Sequence, residues 1–131
     1  MKIKELKTDK DFKACFNFWY RKAKSVKTIE EALEVSIEKW EYLYKLIEKT
    51  NTDIILILDN LMRCTTCGLC EFDRTNCEKC PLKSKLYGYC GEEGHVYSKI
   101  TYAIRDLKNK KIILKHIKKL ISIMKEKLEE I

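Results

Sequence analysis

Six of the seven cysteines in this chain lie between positions 64 and 90, a span of 27 residues. They form a C-x2-C-x2-C run, a further C-x2-C pair and one later thiol: Cys64, Cys67, Cys70, Cys77, Cys80 and Cys90. A C-x2-C turn directs two sulfurs at one point, and a second turn can complete a tetrahedron of thiolates around one ion. The spacing therefore predicts a metal site in this segment.

Structural zinc is the first interpretation of this site. Four thiols, called the inner thiols below, form the pattern C-x2-C-x6-C-x2-C: Cys67, Cys70, Cys77 and Cys80. Four thiolates would bind Zn2+ at about 2.3 Å and would leave no open position for a water or a substrate. Cys90 is a fifth candidate ligand, because it could replace one of the inner thiols.

An iron–sulfur cluster is the second interpretation. The C-x2-C-x2-C run that begins at Cys64, followed later by Cys80-Pro81, is similar to the ligand pattern of single-cluster bacterial ferredoxins. A [4Fe-4S] cluster of this kind would need Cys64 as a ligand and would leave Cys77 and Cys90 without a role. Disulfides are a third interpretation, which would require a hyperthermophilic source for a cytosolic protein.

Several motifs of the chain resemble a group of small uncharacterised cysteine-rich proteins common in bacteriophages, prophages and some archaea. The shared features are a tryptophan helix at 36–41, CGLCE at 67–71, CEKCPL at 77–82, and the later Cys90 and Tyr97. The resemblance covers 36–97 and implies that the inner thiols and Cys90 hold the metal, which leaves Cys64 as an extra thiol. Lys39 stands where the group often has His, and 84–89 lacks the usual Thr-Gly. The group has no established activity, so the resemblance implies a site and not a reaction.

Regular structure is expected on both sides of the cysteine segment. All four glycines and the single proline lie between 68 and 94, so the flanks contain no glycine or proline that would interrupt regular structure. The sequence predicts an all-α fold, a small helical bundle that carries a cysteine-rich metal-binding insert. We expect one domain over 1–131, with N-terminal helices in 1–63, the insert in 64–95 and C-terminal helices in 96–131.

Apolar residues at helical spacing predict the first two helices. Thr8 or Asp9 can cap the first, and Thr28 with Glu31 forms a capping box for the second, which should end near Lys49. The expected buried stripes are Phe12, Cys15, Phe16, Trp19, Tyr20 and Ala23, then Ile29, Leu33, Ser36 or Ile37, Trp40, Tyr44 and Ile47. Cys15 is expected to be a small core residue and not a metal ligand.

The rest of the chain outside the insert also shows helical spacing. A buried helix is favoured over a strand for 54–62. Two further apolar stripes follow the insert: Val96, Ile100, Ala103, Ile104 and Leu107, then Ile113, Ile117, Leu120, Ile121, Met124, Leu128 and Ile131. If one straight helix continued through Asn109, the two stripes would be out of phase and lie on different sides of it. The phase change indicates either a break near Asn109 or one helix with two buried faces. We expect His95 to be exposed or to cap a helix, and His116 to lie on the solvent-exposed side of the last helix.

Charge is distributed unevenly along the chain, whose net charge is +7. Residues 1–27 carry nine basic and three acidic side chains, and residues 96–131 carry ten and four, whereas residues 28–60 carry three and eight. One interpretation is intramolecular, with an acidic helix packed between basic ones. The other is a basic surface that binds nucleic acid.

The sequence contains none of the catalytic motifs that would indicate an enzyme. H-E-x-x-H, a Walker loop and G-x-S-x-G are all missing, and an all-thiolate zinc site has no open position for catalysis. We therefore expect a metal-stabilised adaptor that binds protein or nucleic acid, with an iron–sulfur redox protein as the alternative. The N-terminus lacks an apolar signal core and no apolar run could span a bilayer, which predicts a cytoplasmic protein without a membrane partner.

Overall fold

The computed structural model describes residues 6–49, 95–104 and 109–131. These ranges are mostly helical, contain no strand, and form four helices: α1 (Asp9–Lys24), α2 (Ile29–Lys49), α3 (Val96–Tyr102) and α4 (Lys110–Glu129). The predicted helical class is confirmed for this part of the chain. The cysteine segment from Cys64 to Cys90 and the helix expected over 54–62 lie outside the described residues.

Helix α1 begins at a reciprocal cap. The Thr8 Oγ1 accepts a hydrogen bond from the Asp11 amide at 3.2 Å, and the Asp11 carboxylate accepts one from the Thr8 amide at 3.2 Å. Because these bonds satisfy amides that have no partner inside the helix, they fix its first turn. Of the two caps expected from the sequence, the structure uses Thr8.

Helix α2 extends from Ile29 to Lys49 and directly follows Thr28, as predicted. The Thr28 Oγ1 accepts a hydrogen bond from the Glu31 amide at 3.1 Å. The Glu31 carboxylate accepts one from the Lys27 amide at 2.9 Å, one residue before the partner of an ideal capping box. Glu30 and Glu31 also place negative charge at the positive end of the helix dipole.

Helix α2 is the centre of the described bundle. It packs against α1 and α4, and its buried residues extend beyond the single predicted stripe: Ala32, Leu33, Ser36, Ile37, Lys39, Trp40, Tyr42, Leu43, Leu46 and Ile47. Full burial of one leucine or isoleucine side chain stabilises a fold by about 1.5–3 kcal/mol. The interfaces of α2 therefore account for much of the hydrophobic stabilisation in this part of the chain.

A break separates α3 from α4 at Asn109, which confirms the first of the two alternatives. Asn109 has an extended backbone, and its side-chain oxygen accepts a hydrogen bond from the Ile112 amide at 3.3 Å. The predicted stripe of α4 is buried at Ile113, Ile117, Leu120 and Met124. Its last member, Ile131, is 55% exposed because the helix ends before it, at Glu129.

The helices of the described ranges were compared with the length and apolarity that a bilayer requires. None of them is both long enough and apolar enough to cross a membrane.

Candidate functional site

The predicted metal ligands, Cys67, Cys70, Cys77, Cys80 and Cys90 with Cys64 as a further possibility, all lie outside the described residues. Within the described ranges, no group of three or more His, Cys, Asp or Glu side chains is placed to hold an ion. The seventh thiol, Cys15, is fully buried in the core between α1 and α2, as expected. The metal site therefore stays a prediction.

The exposed side of α4 carries a row of lysines. Five of the ten residues from 110 to 119 are lysine and none is acidic. All five are exposed, and the apolar residues between them face the core. Four of the five share one side of the helix and are called the basic face below: Lys111, Lys115, Lys118 and Lys119. No carboxylate of the described residues lies within 4.0 Å of their ammonium groups. The basic face therefore projects an uncompensated positive charge.

Helix α3 adds a lysine to this charge. It packs against α4, and the His116 side chain on α4 feels Lys99 from α3 as well as Lys115 from its own helix. Burial lowers the pKa of His116, and the two ammonium groups lower it further. The His116 side chain is half-buried, so its predicted exposure to solvent is only partly correct. The depressed pKa of His116 therefore results first from burial and then from the positive charges of the two helices.

A second row, of four basic residues and one asparagine, lies on α1, and its members recur at spacings of three and four, so they follow one side of the helix. All of them are exposed: Lys10, Lys13, Asn17, Arg21 and Lys24. The Lys24 ammonium lies 5.0 Å from the ring centroid of Tyr20, which itself stacks on Phe16 at 5.8 Å. The two basic ends of the sequence thus become two separate rows on the outside of the bundle.

The acidic helix α2 meets α1 through an ion pair. The Nζ of Lys22 lies 2.6 Å from Oε1 of Glu38. This pair agrees with the intramolecular interpretation of the charge pattern for α1 and α2. It does not extend to the basic face of α4, whose four lysines have no acidic neighbour in the described part of the chain. The ion pair therefore supports the intramolecular interpretation for α1 and α2 only, and the nucleic-acid interpretation stays a prediction.

Two polar side chains, His95 and Lys39, are buried. His95 directly precedes α3 and its carbonyl accepts a hydrogen bond from the Lys99 amide at 3.0 Å, so the predicted capping position is correct. The side chain, however, is only 3% exposed, which contradicts the predicted exposure. Lys39 is 1% exposed, and its Nζ lies 5.3 Å from the Trp40 ring centroid. Lys39 lies three residues after the buried Ser36, so helical spacing alone could have placed it on the buried side of α2.

Comparison with known proteins adds no assignment to these surfaces. No protein family model matches the chain. No curated protein and no solved structure matches it either. The candidate function therefore depends on the charges and contacts of the described residues.

Proposed function

We propose that this protein is a small cytoplasmic adaptor that binds nucleic acid through the basic face of α4 and the adjacent Lys99. The observation that supports this proposal most directly is the row of four exposed lysines on the basic face, none of which has a carboxylate of the described residues within 4.0 Å. Lys99 on α3 and Lys115 on α4 also lower the pKa of His116, although burial is the larger cause. A surface of this kind attracts a polyanion.

The expected binding is electrostatic and independent of sequence. Each lysine that contacts a phosphate releases a condensed counterion, so the logarithm of affinity falls with the logarithm of salt by about 0.9 per contact on duplex DNA. Four or five such lysines predict a slope of about −4. Lysine is a flexible point charge and lacks the rigid planar fork of arginine, so we expect these side chains to contact phosphates and to discriminate little between bases.

In this proposal a metal bound by the thiols between Cys64 and Cys90 stabilises the cysteine segment. In this proposal the inner thiols bind Zn2+, with Cys90 as the substitute ligand, and the likeness to phage and archaeal proteins places the adaptor in a mobile-element setting. A [4Fe-4S] cluster that includes Cys64 is the alternative, which would make the protein a redox carrier. A closed thiolate site favours a structural role over catalysis.

Binding of a fluorescent 20-base-pair duplex, measured by anisotropy between 50 and 200 mM salt, tests the proposal. The wild-type protein should bind with a steep salt dependence. Lys115→Gln with Lys118→Gln should reduce the slope by about 2, because two phosphate contacts are lost. The control, Lys45→Gln with Lys49→Gln, removes the same charge from α2 and should leave the slope nearly unchanged.

Two results would contradict nucleic-acid binding by this face. One is wild-type affinity that does not respond to salt. The other is an equal loss of affinity in the α4 and α2 variants, because net charge and not the basic face would then govern binding. An acidic protein partner would be the remaining adaptor function in either case.

A further inference from the structure

Helix α3 carries an exposed aromatic side chain. Tyr102 is 57% exposed, more than any other large hydrophobic side chain of the described residues. It lies three residues after Lys99, which is exposed too. Side chains at this spacing are neighbours on a helix surface, with about 5–6 Å between their Cβ atoms. Tyr102 and Lys99 therefore belong to one exposed surface of α3.

The packing of α3 against α4 brings this surface towards the basic face. Burial is the largest cause of the depressed pKa of His116, and the charge of Lys99 comes next, so the Lys99 ammonium lies close to this ring. His116 directly follows Lys115, a member of the basic face. Lys99 therefore connects the surface that carries Tyr102 with the lysines of α4.

The described parts of α3 and α4 carry positive charge almost throughout. Residues 95–104 and 109–125 contain seven lysines and neither aspartate nor glutamate. Lysines alone attract any polyanion. An exposed aromatic ring adds a preference for a polyanion whose bases are free to stack on it, because every base has an apolar face. The bases of a single strand can do so, whereas those of a duplex are already stacked on one another.

The aromatic ring in the other basic row is already covered. On α1 the Tyr20 ring stacks on Phe16, with 5.8 Å between centroids, and the Lys24 ammonium lies 5.0 Å from the Tyr20 centroid. A base would have to displace one of these neighbours to stack on Tyr20. Tyr102 is therefore the better platform for a base.

We propose that Tyr102 stacks on a base of single-stranded nucleic acid while Lys99 and the basic face contact its phosphates. The inference rests on the proposed function and names the class of nucleic acid that this surface prefers. Charge alone would favour a duplex, because its phosphates are more densely spaced and each contact releases more counterion. A preference for single strands therefore reports on the tyrosine ring.

Anisotropy of a fluorescent oligothymidylate, compared with that of a fluorescent duplex, tests the inference. Tyr102→Leu should weaken oligothymidylate binding by about tenfold, because one base stack is lost. It should leave duplex binding and the salt dependence of both nucleic acids nearly unchanged, because no charge is removed. Tyr102→Phe keeps the ring and should bind as the wild type does. The matched variant Tyr20→Leu, on α1, should change the binding of neither nucleic acid.

A fluorescence measurement tests the stack itself. Oligothymidylate should quench the emission of the Tyr102→Trp variant, because the introduced indole meets the base. Trp19 and Trp40 are 1% and 2% exposed, so their emission should remain a constant background. Heparin, a polyanion without bases, is the ligand control, and it should bind the wild type and Tyr102→Leu equally.

Three results would overturn the inference, and they differ in what they say about the proposed function. Salt-dependent binding of both nucleic acids, with no effect of Tyr102→Leu on oligothymidylate, would refute stacking and leave the proposed function intact. An equal loss of oligothymidylate and heparin binding in Tyr102→Leu would show that the tyrosine supports the surface and does not contact a base. Binding that ignores salt for both nucleic acids would refute both proposals.

Discussion

The Sγ of Cys15 donates a hydrogen bond to the Oη of Tyr42 across 3.5 Å in the buried interface of α1 and α2. The Tyr42 ring also lies 5.5 Å from the ring of Trp19, centroid to centroid. The interface thus encloses a polar pair within an aromatic cluster. Burial raises the pKa of Tyr42 well above its ordinary value of 10.0, and the contact with Cys15 raises it further.

Removal of the Tyr42 hydroxyl should destabilise the fold modestly. In Tyr42→Phe the Cys15 thiol loses this hydrogen-bond acceptor while the ring stays in place, and the expected loss is about 0.5–1.5 kcal/mol in the free energy of unfolding. Urea denaturation followed by circular dichroism measures it. Tyr44→Phe, at a partly buried tyrosine on the same helix, is the control and should change stability less. Equal effects of the two variants would show that the pair contributes nothing specific.

Stability should also fall at high pH because of Tyr42. A group whose pKa is raised on folding stabilises the protein below the unfolded pKa, and this contribution is lost as the pH rises further. For Tyr42 the contribution is complete below about pH 10 and declines above it. Urea midpoints measured between pH 8 and 11 should therefore fall more steeply for the wild type than for Tyr42→Phe. Parallel curves for the two proteins would contradict this linkage.

The pKa of His116 should rise when either neighbouring lysine loses its charge. Burial is the largest cause of its depression, so Lys99→Met and Lys115→Met should each bring the pKa closer to 6.5 without reaching it. NMR titration of the imidazole ring measures the change. Lys127→Met, at the far end of α4, is the control. An unchanged His116 pKa in both lysine variants would contradict the convergence of α3 and α4 charges.

The same histidine makes a contribution to acid sensitivity. Because its pKa is lowered on folding, the stability that it contributes is present above about pH 6.5 and is lost as the pH falls below that value. His116→Gln should remove this dependence, so its stability between pH 7 and 5 should fall less than that of the wild type.

Bound duplex DNA should raise the pKa of His116, since phosphates offset the positive charge of the lysines. A lower pKa in the bound protein would count against contact at the basic face.

Loss of an inner thiol should release the metal. Cys70→Ser or Cys80→Ser removes a thiolate from the predicted site, and elemental analysis of the purified variant should show much less than one equivalent of metal. Cys15→Ser is the control, because Cys15 lies in the core. Normal metal content in both inner-thiol variants would refute the proposed ligands.

The colour of the purified protein and the effect of Cys64→Ser on its absorbance identify the metal. A zinc protein is colourless, whereas a [4Fe-4S] protein is brown and absorbs near ~400 nm. Cys64→Ser should leave a zinc site intact, since the inner thiols suffice for four-coordination. The same substitution should reduce the absorbance of a cluster that needs Cys64. A brown wild-type protein that bleaches in Cys64→Ser would favour the iron–sulfur alternative.

Local signals in the sequence predicted the described helices well. Thr8, Thr28 and Asn109 each mark a helix start because their side chains can satisfy backbone amides within three residues, and this needs no knowledge of the fold. The burial of Trp19 and Trp40 followed from their place on apolar stripes. The additional burial of Tyr42 depends on which helices surround α2, and a helical stripe alone does not contain that information.

The candidate surfaces were predictable only in part. The charge of the chain ends indicated a basic surface, but the effect of Lys99 on His116 requires the packing of α3 on α4. The groove of about 450 Å³ between α1, α2 and α4 could not be foreseen, because its lining combines side chains of α1 and α2 with side chains of the distant α4. The cysteine spacing predicts a metal site by itself, and that site stays a prediction.

The break at Asn109 brings Lys99 and His116 together. In one uninterrupted helix these residues would be separated by seventeen steps, or about 25 Å along the axis, too far for one charge to act strongly on the other. In the structure, α3 packs against α4 instead, and Asn109 begins a new helix. A change that fused the two helices across Asn109 would therefore divide the positive surface, even if every lysine were kept.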